Sequence, residues 1–150
     1  MNIDEYIQQP GQSNWVQRDD ILRSMHVALP GEIYSYDPDT RTAVVQPVIR
    51  GWKSREDPPL LFDVPVFFLN NIVYTVSEGD ECLVVFADTC IDSWFENGGV
   101  STSMSERRHD LSDGFAFVGF KSKGNVTPGK NLDTDFFLKD STWGEWEGNS

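Results

Sequence analysis

Short apolar runs separated by polar turns dominate the middle of the chain. Between residues 30 and 90, five runs rich in β-branched and aromatic residues alternate with turn-forming clusters such as Asp37-Pro38-Asp39-Thr40. Such runs are typical of β-strands. The predicted strands are residues 33–36, 42–49, 64–69, 72–76 and 81–87, with Asn70-Asn71 as a two-residue hairpin turn. The pattern predicts an all-β fold built on a small closed five-stranded barrel, either an OB-fold or an SH3-like barrel.

A helical pattern precedes the strands. Trp15, Leu22, Met25 and Leu29 recur at spacings of seven, three and four residues, which places them on one face of a helix. Asn14, followed by Gln17 three residues later, is the predicted N-cap. This apolar face must be buried either on the chain's own barrel or on a partner. Residues 1–29 are therefore predicted to form an N-terminal helical arm.

The remaining segments differ in texture. A short helix through Trp94 and Phe95, capped by Thr89 and ended by Asn97-Gly98-Gly99, is predicted to close the barrel's open end. Residues 30–120 then form the barrel. Residues 121–150 are turn-rich, with sparse apolar patches at 136–138 and 143–146. They are predicted to be a β-rich C-terminal extension that gains stability when three copies pack together.

Charge narrows the classes of function. The chain has 24 acidic and 12 basic residues, for a formal net charge of −12. This sign repels phosphate, so stable nucleic-acid binding is not expected. Cys82 lies within an apolar run and Cys90 follows a predicted strand, so both are predicted to be small buried residues. Two cysteines without a recognisable signal peptide predict reduced thiols in a protein assembled inside a cell.

Arg107-Arg108-His109-Asp110 is the most chemically suggestive stretch. Histidine beside aspartate is half of a catalytic dyad, but the sequence has no Gly-x-Ser-x-Gly turn to carry a nucleophile. A structural role fits better, with Asp110 and Asp113 accepting backbone amides and the arginines pairing with acids of a neighbouring subunit. We therefore predict no catalytic residues and no enzymatic activity. Arg107, Arg108 and Asp110 are the predicted subunit-contact residues.

Metal and cofactor sites are not predicted. The two histidines, His26 and His109, lie far apart in sequence, and neither cysteine belongs to a Cys-x-x-Cys pair. Asp37 and Asp39 begin like a calcium loop, but Arg41 stands where an oxygen ligand is needed. No glycine loop for phosphates is present.

Three motifs together resemble a known family. They are Pro58-Pro59-Leu60 running into Asp63-Val64-Pro65-Val66, then Cys90-Ile91-Asp92-Ser93-Trp94, then Arg107 through Phe117. In this order, over about residues 26–120, they resemble the phage baseplate central-spike proteins whose N-terminal OB-fold barrel is named after gp138. The resemblance implies a homotrimer that seats on hub and tail-tube proteins, continues to a spike tip and transmits force during host envelope penetration. It also implies location in the virion's tail baseplate after assembly in the host cytoplasm.

The resemblance also guides the arm and the tip. It implies that the arm faces the hub, with Trp15, Leu22 and Met25 as its contact residues. Longer relatives end in an apex that holds iron through His-x-His, which this sequence lacks, so a separate spike-tip protein is expected. Contact with the host envelope is expected only during infection.

Two other functions remain open. The first is an OB-fold binder of single-stranded nucleic acid or oligosaccharide, with Tyr34, Tyr36 and Tyr74 as stacking residues. The second is a peptidoglycan hydrolase of the tail tip, although no extra domain is available to host that activity.

Overall fold

The computed structural model describes residues 10–70, 72 and 74–126. By its internal contacts the chain divides into two compact units, residues 1–120 and 121–150. The elements of the first unit are helix α1 (Pro10–Ser24), strands β1 (Ala28–Asp37), β2 (Thr42–Pro47), β3 (Leu61–Pro65) and β4 (Glu81–Phe86), helix α2 (Asp92–Asn97) and strand β5 (Gly114–Val118). In the second unit, the described residues form a turn in which the Asn125 and Val126 amides donate to the Ser122 carbonyl.

The five strands form one antiparallel sheet in the order β3-β2-β1-β4-β5. Just beyond β3, Val66 makes an isolated parallel bridge with Ala116 of β5, and the Phe67 amide donates to the Ala116 carbonyl at 2.9 Å. This bridge joins the two outer strands at one point. A register shift between Ile33 and Ser35 of β1 helps the sheet bend, as bulges do. The sheet therefore curls into a half-barrel.

Alternate residues of each strand fill the inside of the curled sheet. The buried core comprises Ile33, Ala43, Val45, Leu61, Val64, Val66, Val76, Cys82, Val84, Phe86 and Ala116. Two glycines allow the strands to pack this closely. A β-carbon at Gly31 would lie 2.5 Å from Val45 Cγ1, and one at Gly114 would lie 2.7 Å from Val84 Cγ1. Any larger side chain at either position would push into the core.

The prediction of a strand over residues 72–76 is wrong. Ile72 and residues 74–76 are not in a strand, and the hairpin predicted around Asn70-Asn71 is therefore not formed. Instead, Tyr74 packs its ring against Phe68 with centroids 4.8 Å apart, and Val76 enters the core from a loop. The fifth strand is Gly114–Val118, which pairs with β4 over all five residues. Long-range pairing thus overrides the local β-propensity of residues 72–76.

A helix is present within the predicted arm, but its start and its apolar face differ from the prediction. Helix α1 begins at Pro10, so Asn14 lies inside it and is not the cap. Leu29 belongs to β1 and packs against the core. The side chains of Trp15 and Leu22 are 74% and 69% exposed. None of the helices in the described ranges is both long enough and apolar enough to cross a membrane.

The N-terminus of helix α2 and the position of Trp94 also differ from the prediction. It begins at Asp92 without a side-chain cap, so Thr89 does not play the predicted role. Gly98 ends the helix as expected, with φ at 68°, and its amide donates to the Trp94 carbonyl. The Trp94 ring lies 5.7 Å from that of Phe115, whose side chain points away from the core. Trp94 therefore covers the outer face of β5 and does not close the barrel.

Candidate functional site: the Arg107 cluster

The guanidinium of Arg107 is the centre of a compact polar cluster. Its Nε and one terminal nitrogen donate to the two carboxylate oxygens of Asp113 at 3.2 and 3.0 Å. The same terminal nitrogen lies 3.0 Å from Asp92 Oδ2 and 3.1 Å from Cys90 Sγ. A two-pronged contact of this kind fixes both orientation and distance between arginine and carboxylate. Arg107 therefore joins the loop before β5 to the start of α2.

Asp113 is the buried member of the cluster, with no exposed surface. Besides Arg107, its Oδ1 accepts the Ile91 amide at 3.1 Å, and its carbonyl accepts the Ala87 amide at 2.8 Å. A buried carboxylate is stable only when paired and hydrogen-bonded. The hydrogen bonds that Arg107 donates to Asp113, and after them the one to Asp92, raise the pKa of Arg107, whose guanidinium is already permanently protonated. The pair thus fastens the end of β4, the start of α2 and the start of β5 to one another.

The cluster also contains a set of atoms that fits the pattern of a metal site. Ligand atoms of Cys90, Asp92 and Asp113 all lie within 4.8 Å of one another. Arg107 donates to each of the three. Since the guanidinium occupies the position that a cation would take, these groups act together as an arginine-binding site. Their arrangement gives no support for a metal centre.

Asp110 shapes the turn that leads into β5. Its Oδ1 accepts the Ser112 amide at 2.9 Å, and its carbonyl accepts the Asp113 amide at 3.1 Å. The hydrogen bonds from Ser112 hold the pKa of Asp110 below its usual value, and the nearby charge of Arg107 acts in the same direction. The predicted role of Asp110 as an acceptor of backbone amides in a turn is confirmed.

The backbone of His109 anchors the segment that connects α1 to β1. Its φ of 46° is unusual for a non-glycine residue, and its carbonyl accepts the His26 amide at 3.0 Å. Nε2 lies 3.3 Å from Asp88 Oδ1, whereas Nδ1 is buried without a partner among the described residues. The hydroxyls of Ser101 and Ser103 bond to carbonyls of their own loop. The contacts of His109 are therefore those of a turn that anchors the chain between α1 and β1.

The predicted contact residues have different environments. Arg107 uses its head group within its own chain, whereas Arg108 is exposed and makes no ion pair within the described ranges. The three residues predicted to face the hub, Trp15, Leu22 and Met25, lie on or just after α1, apart from this cluster. Their roles in subunit or hub contact remain predictions.

Sequence reasoning missed Cys90 and Asp92 as partners of Arg107. Both belong to one of the quoted motifs, but 15 to 17 residues separate them from Arg107. No periodicity links positions so far apart. The structure also shows that all three motifs line one groove of about 480 Å³, whose walls include Pro59, Asp63, Ile91 and Leu111. The fold therefore brings together three stretches that lie far apart in sequence.

The tyrosines of the alternative binding function do not form one stacking surface. Tyr34 is exposed, but Tyr36 and Tyr74 pack against Phe68 beside the core. The Tyr74 hydroxyl donates to the Phe67 carbonyl. Burial raises the pKa of both Tyr36 and Tyr74. These two rings therefore support the fold at one end of the sheet.

Comparison with known proteins agrees with this arrangement. No curated protein matches the chain significantly. A family model described as "Phage protein Gp138 N-terminal domain" matches residues 29–119. The matched range contains every strand of the curled sheet except the first residue of β1, together with α2 and all three motifs around the groove. The protein is therefore a phage structural protein and belongs to the Gp138 N-terminal domain family.

Proposed function

We propose that this chain is a homotrimeric central-spike or hub-adaptor component of a contractile phage tail baseplate. In this role it caps the tail tube, links the hub to a separate spike tip and transmits force while the host envelope is penetrated. The observation that carries the proposal is the family match over the curled sheet, residues 29–119. The part is mechanical and has no catalytic step.

The contacts of the Arg107 cluster support a role in which the fold transmits force. Arg107 and Asp113 tie α2 to β5, while the bridge between Val66 and Ala116 joins the two outer strands. A closed OB-fold barrel, completed around this bridge, would leave few free strand edges from which unfolding under load could start. Arg107 and Asp113 thus hold α2 and β5 together within one chain.

The excess of acidic residues is consistent with a position next to DNA that moves past the protein without being bound. The formal net charge of −12 opposes contact with phosphate groups. Helix α1 supplies the exposed apolar side chains that an assembly contact needs, with Trp15 and Leu22 as its largest. In this proposal the chain belongs to the virion, and its partners are two further copies, hub and tail-tube proteins and the tip.

Two measurements test the proposal. Analytical ultracentrifugation of the full chain should give three times the 17.0 kDa subunit mass. Cryo-electron microscopy of purified particles should place the curled sheets around the tail axis at the end of the tube. A lone-subunit mass, both free and with its tail components, would contradict the trimer. Density away from the axis would contradict the spike role.

Arg108 offers a direct test of the predicted subunit contact. It is exposed and unpaired within the described ranges, so Arg108→Glu should leave the fold intact. We expect this change to lower the trimer fraction in ultracentrifugation. Lys at the same position is the matched control, since it keeps the charge. An unchanged trimer fraction for Arg108→Glu would remove Arg108 from the contact.

A further inference from the structure

The outer face of the sheet carries apolar rows where a soluble barrel normally has polar residues. Ala28 of β1, Val85 of β4 and Phe115 of β5 are direct cross-strand neighbours. Directly paired residues of antiparallel strands point to the same side of a sheet. The residues that alternate with these three, Leu29, Val84 and Ala116, face the core. The first row therefore lies on the outside.

A second row runs beside the first. Pro30, Leu83 and Phe117 pair across the same three strands, two residues further along. Phe67 extends this row, with its ring 5.0 Å from that of Phe117, just as Trp94 extends the first row at Phe115. Phe67 and Trp94 are still 45% and 44% exposed. The two rows with these two rings are called the outer face below.

The outer face carries no charge, in contrast to its border. The next cross-strand pair, Glu32 with Glu81, consists of two acids. Contiguous apolar patches of several hundred Å² on a soluble chain mark protein interaction sites. Among the described residues, this sheet face remains partly open at Phe67 and Trp94, and α1 presents a second apolar surface with Trp15, Ile21 and Leu22 exposed.

We infer that α1 of one copy packs on the outer face of the next copy, and this inference rests on the proposed homotrimer. Three identical chains related by rotation form a closed ring only through contacts that join two different surfaces of each chain. Helix α1 and the outer face are two such surfaces, and both expose large apolar side chains. Each subunit then gives its helix to one neighbour and its sheet face to the other.

Charge supports a neighbouring copy as the occupant. Helix α1 has no net charge, because Arg18 and Arg23 balance Asp19 and Asp20, although the whole chain carries −12. It is therefore a segment that approaches another acidic copy at little electrostatic cost. Arg18 lies between Trp15 and Leu22 on the same stripe of the helix. On the neighbour, this places a cation beside the acidic row of Glu32.

The connection between α1 and β1 fixes where the helix leaves the sheet. The His26 amide donates to the His109 carbonyl, and the Phe86 amide donates to the Val27 carbonyl. These bonds hold residues 26 and 27 against the β4 end of the sheet. Within its own chain α1 then stands clear of the outer face, as the exposure of Trp15 and Leu22 shows. A helix so directed is available to a neighbouring subunit.

Complementary variants test the inference by ultracentrifugation. Leu22→Asp disables the helix surface, and Phe117→Asp disables the outer face. Each variant alone should lose the trimer, with an association constant at least ten-fold lower, whereas an equimolar mixture should form 1:1 dimers through its one intact contact. Tyr34→Asp, on an exposed site of β1 outside both rows, is the control and should remain trimeric.

A second measurement covers the case in which Phe117→Asp fails to fold. A photo-cross-linking amino acid at Phe67 should join this position to residues 10–25 of another copy in the wild-type background. Cross-links to the same chain's helix, to a hub protein or to nothing would overturn the inference. If the wild type is trimeric and both aspartate variants stay trimeric, the inference fails while the proposed function stands. A monomeric wild type contradicts the proposed function itself.

Discussion

The carboxylate of Asp113, which is entirely buried, receives both of its charged hydrogen bonds from Arg107, at 3.0 and 3.2 Å. The stretch between these two residues suggests a catalytic dyad in the sequence because His109 stands beside Asp110. In the structure it holds α2 against the start of β5, and this places Trp94 over Phe115. One ion pair thus connects the stretch before β5 to the ring of Trp94 that lies over β5.

Replacing Arg107 should lower the free energy of unfolding more than replacing the adjacent Arg108. Arg107→Met leaves the buried Asp113 carboxylate without a counter-charge, and we expect the free energy of unfolding to fall by about 3 kcal/mol. Arg108→Ala, at an exposed site, should change it by less than about 0.5 kcal/mol. Urea denaturation followed by tryptophan fluorescence measures both. Equal effects of the two changes would contradict the assignment.

The double variant separates charge from shape. Arg107→Met with Asp113→Asn removes both charges, while asparagine keeps an oxygen that accepts the Ile91 amide. Because an unpaired buried charge costs more than a missing pair, the double variant should be more stable than Arg107→Met alone. A double-mutant cycle gives this coupling directly. Additive losses would show that Asp113 does not depend on Arg107.

Local pattern and long-range pairing explain what the sequence could and could not predict. The cores of β1, β2 and β4 and the existence of α1 follow from composition and period, which act over a few residues. The fifth strand cannot be predicted from local composition, because β5 pairs with β4 across a loop of 27 residues that includes α2. Residues 74–76 are as rich in strand-forming residues as the observed strands, yet they lie in a loop, from which Tyr74 and Val76 pack their side chains on the core. The apolar patches predicted at 136–138 and 143–146 lie outside the described residues.

The same distinction applies to the candidate site. The acceptor role of Asp110 follows from residue chemistry alone, since aspartates in turns commonly bond the amide two residues further on. The acceptor role of Asp113 does not, because the amide that its carboxylate accepts belongs to Ile91, 22 residues away in sequence. The partners of Arg107 do not, because Cys90 and Asp92 are brought to it only by the packing of α2 on β5. The resemblance to the family pointed to the right motifs without showing that they share a groove.

Gly114 should be intolerant of any side chain. Gly114→Ala would place a methyl group 2.7 Å from Val84 Cγ1 and 3.2 Å from the Phe86 ring, and we expect a loss of about 1–3 kcal/mol. Gly51→Ala is the control, since its nearest neighbour would be Ser54 Cβ at an ordinary 3.9 Å. Thermal unfolding by circular dichroism compares the two. A melting temperature unchanged by Gly114→Ala would contradict the close packing of β5 on β4.

The Tyr74 hydroxyl should contribute to stability through its bond to the Phe67 carbonyl. Tyr74→Phe removes only this hydroxyl, and we expect a loss of about 1 kcal/mol. Tyr34→Phe removes an equivalent hydroxyl from an exposed ring and should leave stability unchanged within about 0.5 kcal/mol. Chemical denaturation at pH 7 provides the comparison. If both changes were neutral, the loop after β3 would not depend on Tyr74.

Alkaline pH should destabilise the fold through Cys82. Burial, aided by the charge of Asp80, raises the pKa of the Cys82 thiol from 9.0 to about 11. The folded chain therefore binds this proton more tightly than the unfolded chain does. The resulting stability is fully present below pH 9 and is lost as pH rises to about 11, with a magnitude of at most about 3 kcal/mol.

Cys82→Ala isolates this contribution. The smaller side chain lowers stability by an amount that does not depend on pH, but it removes the ionisable group and with it the slope between pH 9 and 10. Tyr36 and Tyr74, whose pKa values burial also raises, act in the same direction at higher pH, so the comparison is sharpest below pH 10. Unfolding free energies from urea titrations at pH 8, 9 and 10 give both slopes. Parallel slopes for wild type and variant would show that the Cys82 thiol is not held neutral by the core.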